Sequence, residues 1–201
     1  SDPNAGGLMT DAAGTSATTQ IAYAPENWGI AGAFTYASGG EGGGALYGGN
    51  GTPAAVALSG SGHTYSYGLS AWWMPEDSGI IPSVSAGWGL TDIPDSDIAG
   101  IESATSQSWY VGLEWSDVFV EGNSLGMAVG QPTFISDLDT KKGYDDTVAG
   151  SGYAWEFFYK FQVTDNITVT PAVHYLSKPY AGQDSDGLNA MSGLLKTTVK
   201  F

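Results

Sequence analysis

Six titratable side chains that could act on a solute fall on one face of the last predicted strands. Alternate residues of a β-strand point to the same side of the sheet, so the face is set by the residue spacing within each strand. A mixture of acids and bases on one face suits either ion recognition or proton transfer. The set is Glu114, Glu156, Lys160, His174, Lys196 and Lys200.

Catalysis finds little support among these residues. Glu114 and Glu156 share a face, as glycosidase carboxylates do, but their strands are not neighbours in the predicted order. His174 and a nearby serine could be the catalytic residues of a phospholipase built on a barrel. The simpler interpretation is that His174 is a solvated residue of the lumen. The sequence has no cysteine, and no G-x-S-x-G or H-E-x-x-H motif occurs. The sequence therefore predicts a protein that is not an enzyme.

Ion recognition suits the residues of this face better than catalysis does. A Lys or Arg on the lipid face of a membrane barrel costs about 2–4 kcal/mol at mid-membrane, whereas a water-filled interior accepts charge. The six residues are therefore predicted to line a pore and to set its ion preference. Two alternatives stay open: lumen solvation without selectivity, and a lumen lined mainly by residues outside this sequence.

Most acidic residues fall in the predicted long links between strands. Their potential would draw cations to the mouth of a pore and repel anions. They could also hold divalent ions that bridge to lipopolysaccharide, or simply keep the links solvated. "DIPDSD" and "DLDT" do not fit the calcium-loop spacing, so no cofactor and no metal site is predicted, with Ca²⁺ at these links as an alternative. The predicted acidic mouth consists of Asp92, Asp95, Asp97, Glu102, Asp137, Asp139, Asp145, Asp146, Asp184 and Asp186, with Glu41 in the first long link.

The dominant hydrophobic period is two, which predicts an all-β fold. Most of the predicted strands run eight to eleven residues, close to the roughly 9–11 that a tilted strand needs to cross a bilayer. The nine predicted strands are 18–24, 28–37, 64–74, 81–90, 108–116, 124–131, 153–163, 166–176 and 193–201.

The apolar faces of these strands carry aromatic residues near the strand ends. Aromatic rings collect at membrane interfaces because they are partly apolar and partly polar. The alternative is a secreted soluble β-sandwich that binds carbohydrate through exposed tryptophans and acidic loops. The predicted interface aromatics are Trp28, Trp109, Trp115, Trp155, Tyr175 and Phe201.

The predicted links are short at one end of the strands and long at the other. This alternation is typical of outer-membrane barrels, and it predicts that Phe201 ends the last strand at the periplasmic rim, facing lipid. Nine is an odd number, however, and an open sheet edge cannot face lipid. The sequence therefore predicts that residues 1–201 form the C-terminal portion of one larger β-barrel domain.

Composition excludes further classes of structure and function. The chain has 201 residues and a net charge of −15, which argues against nucleic acid as a partner. No apolar run approaches the 18 or so residues of a membrane helix. The absence of cysteine excludes disulfides and thiolate chemistry.

Several stretches resemble cyanobacterial outer-membrane porins of the OprB-like carbohydrate-selective, or iron-uptake, superfamily. They are "TQIAYAPENWGIAGAFTY", "YGLSAWWMPEDSGIIPSVSAGWGL", "SWYVGLEWSDVFVEGNSLGMAVGQP", "AWEFFYKFQVTDNITVTPAVHYL" and the terminal "VKF". The resemblance implies a trimeric barrel of about 16 strands in the outer membrane that passes small solutes or inorganic ions. It implies as partners the N-terminal half of the barrel, outer-membrane lipid and lipopolysaccharide, and the peptidoglycan layer through an N-terminal surface-layer-homology domain. That domain and the first barrel strands are not in this sequence.

Overall fold

Nine antiparallel strands form one continuous sheet in a computed structural model of the chain. The structure describes residues 14–38, 51–58, 62–76, 79–144, 152–179 and 188–201. Each strand pairs with the next one in sequence, so the spatial order is β1 to β9. The strands are β1 Thr15–Tyr23, β2 Trp28–Ser38, β3 His63–Trp73, β4 Ser83–Asp95, β5 Ile101–Ser116, β6 Ser124–Thr140, β7 Ala154–Thr164, β8 Ile167–Ser177 and β9 Asn189–Val199. The predicted all-β fold of nine strands is confirmed.

The sequence period of two separates the sheet into two faces. Residues opposite each other in antiparallel strands share a face, so one row of partners can be followed across the sheet. One such row runs from β2 to β8 and consists of Gly29, Trp72, Ser85, Gly112, Ala128, Glu156 and His174. Small and polar residues dominate this face, and bulky apolar residues dominate the opposite one.

Three strands extend well beyond their predicted ends. The predictions ended β4 at Leu90, began β5 at Ser108 and ended β6 at Gln131, but the paired strands reach Asp95, Ile101 and Thr140. The predicted long link 91–107 is therefore wrong, because only residues 96–100 connect β4 to β5. The extension is stabilised by burial of Ile93, which pairs with Ala104.

A short helix, α1 (Pro53–Leu58), lies on the extension of these strands. Its buried residues Ala55 and Leu58 form an apolar cluster with Ile93, Ala104 and Ile135. These three strand residues belong to the face with the small and polar side chains, which we call the inner face. The segment is held by the Thr52 backbone N–H, which donates to the Thr133 carbonyl at 2.8 Å. No sequence signal indicated that residues 53–58 of the link between β2 and β3 pack on the inner face.

The sheet formed by the described residues is open, because its strand order begins at β1 and ends at β9 without a pairing that joins these two edge strands. Edge strands present unpaired N–H and C=O groups that further strands can satisfy. The architecture is consistent with part of a β-barrel. Within the described part of the chain, no helix is long and apolar enough to cross a membrane.

Candidate functional site

The inner face carries four charged or chargeable side chains on strands β5, β7 and β8. These are Glu114, Glu156, Lys160 and His174, which we call the charged band. Glu114 and Phe158 both pair with Gly126, so they lie in one row of the sheet. Glu156 and Lys160 lie two residues before and after Phe158 in β7, so all four residues fall within three neighbouring rows of the inner face. The structure therefore brings together four of the six predicted pore-lining residues.

Glu114 and Lys160 form the first ion pair of the band. The Lys160 Nζ lies 3.8 Å from the Glu114 Oε1, and both side chains are about half exposed. The two residues sit on β5 and β7, so the pair spans the intervening β6 strand, whose partners to Glu114 and Lys160 are the small residues Gly126 and Ser124. Solvent screens a pair of this exposure, so it fixes side-chain positions more than it stabilises the fold.

Glu156 and His174 form the second pair. They are direct partners in the register of β7 and β8. The His174 Nδ1 lies 4.0 Å from the Glu156 Oε2, so a protonated His174 would complete an ion pair. Each carboxylate of the band thus has its own basic neighbour. Glu114 on β5 and Glu156 on β7 are on strands that are not adjacent, and each faces a different base.

The two remaining predicted residues lie toward the C-terminus. Lys196 pairs with Thr170 and shares the inner face. Lys200 lies just beyond the end of β9, and its backbone N–H donates to the Asn166 carbonyl at 2.8 Å. Strand β9 therefore ends two residues earlier than predicted, and Phe201 extends past it, fully exposed.

Three aromatic rings on the inner face were missed by sequence reasoning. They belong to Trp72, Tyr110 and Phe158, and each lies over a glycine of the preceding strand. They line a cavity of about 380 Å³ together with Glu114. The available signal was a glycine directly opposite an aromatic residue, which becomes visible only when the strand register is known.

Hydroxyl groups join neighbouring strands on the same face. The Thr18 and Thr35 hydroxyls are 2.9 Å apart across β1 and β2. The Ser66 and Thr91 hydroxyls are 2.8 Å apart across β3 and β4. The inner face of β1 to β4 therefore carries paired hydroxyl groups, whereas the charged band and Lys196 lie on β5 and on β7 to β9.

Half of the predicted acidic mouth residues are in strands and not in links. Asp92, Asp95, Glu102, Asp137 and Asp139 lie in the extended ends of β4, β5 and β6. Their assignment to loops is wrong because these strands continue to pair past the predicted turn residues, with β-bulges that shift the register. Asp97 is in the 96–100 link, where its carboxylate accepts a hydrogen bond from the Gly62 N–H at 3.1 Å. Glu41, Asp145, Asp146, Asp184 and Asp186 lie outside the described residues.

Two of these aspartates bracket one residue of β5. Asp92 and Asp137 both pair with Thr105, one from each side. Asp139 accepts a hydrogen bond from the Ser103 hydroxyl at 2.9 Å. The negative charges are thus held on paired strand ends beside the link 96–100. The same charges on loops would have less defined positions.

The predicted interface aromatics lie on the outer face, the side opposite α1. Trp28 packs edge-on against Tyr23 with ring centroids 5.5 Å apart. Trp115 donates from its indole N–H to the Ile80 carbonyl at 3.1 Å. Trp155 and Tyr175 are direct partners in β7 and β8. These rings therefore share one face of the sheet, and their role at a membrane interface stays a prediction.

Trp109 is the exception within this set. The prediction placed it near a strand end, but β5 continues to Ile101, so Trp109 lies in mid-strand. Its indole N–H donates to the Gln131 side chain at 2.6 Å. Six residues separate it from Trp115, which corresponds to about 20 Å along a strand.

Comparison with known proteins gives a family match over nearly the whole chain. The family model described as "Carbohydrate-selective porin, OprB family" matches residues 5–201. The chain is similar to an uncharacterized protein of Nostoc sp., with 33% identity over 141 residues, 68% of this chain and 21% of that protein. It is also similar to an uncharacterized protein of Synechocystis sp., with 27% identity over 129 residues, 61% of this chain and 23% of that protein. The chain therefore spans about a fifth of the length of these curated relatives, and no solved structure matches it.

Proposed function

Because the chain belongs to the OprB family of carbohydrate-selective porins, we propose that it forms part of the wall of a water-filled outer-membrane channel. Small hydrophilic solutes and inorganic ions diffuse through this channel passively. The charged band lines the pore, and the acidic strand ends favour cations at its mouth. The chain acts as a channel wall and not as an enzyme.

The observation that carries this proposal is the opposite character of the two sheet faces. On the outer face, large apolar side chains such as Leu69, Phe157 and Leu195 are 47–69% exposed. Such exposure is unfavourable in water and favourable in lipid. The inner face holds the charged band and the hydroxyl pairs, which need water. A sheet with one lipid-compatible face and one wet face suits a barrel wall.

Helix α1 narrows the channel in this proposal. It covers the inner face of the extended strands, with Ala55 completely buried against the sheet. The extended ends of β4 and β6 carry Asp92, Asp95 and Asp137, and the row of Asp92 and Asp137 lies next to the row of Ile93 and Ala104 on the opposite face of the same strands. Fixed carboxylates near a narrow entry raise the local cation concentration.

The remaining wall and the assembly partners are part of the same proposal. The unpaired edges of β1 and β9 require further strands, which the N-terminal half of the barrel would supply. The complete barrel would assemble as a homotrimer in outer-membrane lipid and lipopolysaccharide. A surface-layer-homology domain at its N-terminal side would bind the peptidoglycan layer.

A reversal-potential measurement tests the channel and its selectivity. The full-length protein is reconstituted in a planar bilayer under a KCl gradient, and the potential at zero current is read. We expect a stable conductance with cation preference. The variant Asp92→Asn/Asp137→Asn should reduce this preference, because it removes two fixed charges from the mouth.

The matched control is Glu121→Gln/Asp165→Asn, which removes two exposed carboxylates from the turns at the opposite end of the sheet. It should leave the preference nearly unchanged. Anion preference in the unmodified protein would refute the acidic mouth and keep the channel. A correctly folded, detergent-free soluble monomer without conductance would refute the channel in favour of a secreted carbohydrate-binding domain.

A further inference from the structure

We propose that the β3–β4 and β5–β6 turns form a lipid-binding anchor at the end of the sheet away from α1. Its apolar side chains are Ile80, Ile81, Phe119 and Val120, which we call the turn patch. Its partner is the border between headgroups and acyl chains in the membrane leaflet around this end of the strands. The inference rests on the proposed channel, since the turns reach lipid only if the sheet is part of a membrane barrel.

The turn patch consists of large apolar side chains that are far more exposed than is usual. Ile80 and Phe119 are each 90% exposed, and Val120 and Ile81 are 61% and 52% exposed. The other two turns at this end of the sheet have the polar sequences "APEN", between β1 and β2, and "DN", between β7 and β8. Exposed apolar surface is thus concentrated on two adjacent turns, and such a patch is unfavourable in water.

The backbone of the β5–β6 turn holds Phe119 in an unfavourable conformation while its ring stays exposed. Phe119 has a φ of 65° and Asp117 a φ of 57°, in the left-handed region that residues other than glycine rarely adopt. The Tyr159 hydroxyl donates to the Val118 carbonyl at 2.6 Å, and the Asp117 carboxylate accepts from the Gly122 N–H at 2.7 Å. These hydrogen bonds fix the shape of the turn, so the exposed ring has a defined position.

Both turns contact side chains of the outer face. Trp115 and Tyr159 lie in one row of that face. The Trp115 indole N–H donates to the Ile80 carbonyl at 3.1 Å, which ties the β3–β4 turn to β5. The Phe119 and Tyr159 ring centroids are 6.1 Å apart, and Tyr159 in turn contacts Phe161 at 4.5 Å. The turn patch therefore continues the apolar outer face past the ends of the strands.

Lipid fits the turn patch better than a second protein chain does. Four side chains on two turns offer a small area, whereas a specific protein–protein interface buries about 1,200–2,000 Å² in total. Apolar side chains next to a row with Trp115 and Tyr159 suit the border between headgroups and acyl chains. The exposed carboxylate of Glu121, in the same turn, would lie in the headgroup layer.

An anchor of this kind sets the depth of the wall in the membrane. Movement of the sheet toward the far leaflet would pull the turn patch into the lipid interior together with its polar backbone, and movement the other way would expose Ile80 and Phe119 to water. Both displacements are unfavourable, so the patch holds these strands at one depth.

Fluorescence quenching at the β5–β6 turn tests the lipid contact. The full-length protein carries one fluorophore on the cysteine of Val120→Cys and is reconstituted in phosphatidylcholine vesicles with brominated acyl chains. We expect quenching by bromine near the headgroup end of the chains and little quenching by iodide in the water. Ile80→Ala/Phe119→Ala should reverse this order, because the turn then loses its apolar contact with lipid. Phe119→Ala alone gives the same comparison if the double variant fails to assemble.

Ile21→Ala/Phe34→Ala is the matched control, because it removes the same two residue types from the outer face of β1 and β2. It should leave the quenching at Val120 unchanged. Two further probe positions calibrate the signal. A fluorophore on Asp165→Cys, in a polar turn at the same end, should be quenched by iodide, and one on Val111→Cys, on the outer face in mid-strand, by bromine deep in the acyl chains.

The outcomes separate the anchor from the channel. Quenching at Val120 by iodide, with lipid quenching at Val111 intact, would overturn the anchor while the membrane wall stands. Protection of Val120 from both quenchers would also overturn it and would point to contact with a second copy of the chain. Lipid quenching that persists unchanged in Ile80→Ala/Phe119→Ala would likewise contradict the anchor. Absence of lipid quenching at both Val111 and Val120 would overturn the membrane wall itself, and the anchor with it.

Discussion

Lys160 and Glu114 meet across a strand to which neither belongs: the Lys160 Nζ lies 3.8 Å from the Glu114 Oε1, with β6 between them. On β6 the partner of Glu114 is Gly126 and the partner of Lys160 is Ser124, so only small residues of that strand face the inner side between them. The pair combines a positive and a negative charge at one level of the inner face. The charge at that level therefore depends on which member is present.

Removal of either member of this pair should shift ion selectivity in opposite directions. In Lys160→Met the unpaired Glu114 favours cations, and in Glu114→Gln the unpaired Lys160 favours anions. We expect the ratio of K⁺ to Cl⁻ permeability to change roughly two- to five-fold, since a partly exposed charge interacts with a passing ion by about 1 kcal/mol or less. The measurement is the reversal potential under a KCl gradient.

The double variant Glu114→Gln/Lys160→Met serves as the control, because it removes one charge of each sign and should return the ratio close to the original value. If both single variants leave the reversal potential unchanged, the charged band does not line the conducting path.

Gly126 should not tolerate a side chain. In Gly126→Ala the added methyl group would overlap the Phe158 ring, which must then leave its position or push the strands apart. Overpacking of this kind costs about 1–3 kcal/mol. We expect a lower temperature for the loss of the compact, heat-modifiable form on gel electrophoresis.

Gly32→Ala provides the comparison. Its added Cβ would meet only the Leu69 Cδ2 at 3.7 Å, an ordinary contact on the outer face. It should shift the transition by much less than Gly126→Ala. Equal shifts for the two variants would show that loss of glycine in general, and not the Phe158 contact, is responsible.

The turn between β5 and β6 should depend on Tyr159. The Tyr159 hydroxyl donates to the Val118 carbonyl at 2.6 Å and accepts from the Asn123 side chain at 3.0 Å. This turn holds Asp117 and Phe119 at positive φ, a conformation unfavourable for residues other than glycine. Tyr159→Phe should destabilise the protein by about 0.5–1.5 kcal/mol and increase proteolysis within residues 117–123.

Tyr175→Phe is the corresponding control on the outer face of the next strand, and it should leave cleavage of this turn unchanged. Unaltered cleavage in Tyr159→Phe would mean that the turn is held by its backbone and by the Asp117 side chain, which accepts from the Gly122 N–H at 2.7 Å.

Displacement of α1 should widen the channel. Ala55→Asp places a carboxylate in a fully buried apolar position, where an unpaired charge is strongly unfavourable. The helix should then leave the sheet, and the single-channel conductance should increase. The measurement is the single-channel current at fixed voltage and salt.

Ala57→Asp adds the same charge on the exposed side of the same helix. It should keep α1 in place and leave the conductance close to the original value. An increase in conductance of equal size in both variants would indicate an effect of charge and would argue against the helix as the narrowing element.

The regular part of the fold was predictable because apolar and polar residues alternate without interruption in a few strands. In β7 the large residues Trp155, Phe157, Tyr159 and Phe161 recur at every second position, and nothing in the segment competes with a strand. The ends of β4 and β5 were not predictable in this way. Their segment "DIPDSDIAGIESATSQ" is rich in residues that favour turns, and only the tertiary contact of Ile93 with α1 makes the extended pairing favourable.

The candidate site was predictable in part for a related reason. Residue spacing alone places Glu114 and Lys160 on the same face, but it does not say that they meet, because this depends on the register of two further strand pairs. The glycine positions under the aromatic rings also depend on register. Sequence patterns therefore identify the face, whereas the arrangement on that face requires the pairing between strands.

The apolar cluster beneath α1 implies that two parts of the molecule hide their apolar side chains from water in different ways. Ala55, Leu58 and Ile93 are hidden from water by packing within the chain, as in a water-soluble protein. The outer side chains of the strands are hidden only by what surrounds the sheet. A change of detergent or lipid should thus alter the melting of the sheet and leave the melting of the helix-covered extension unchanged, whereas urea should loosen that extension first. The two parts of one continuous sheet would then come apart under different conditions.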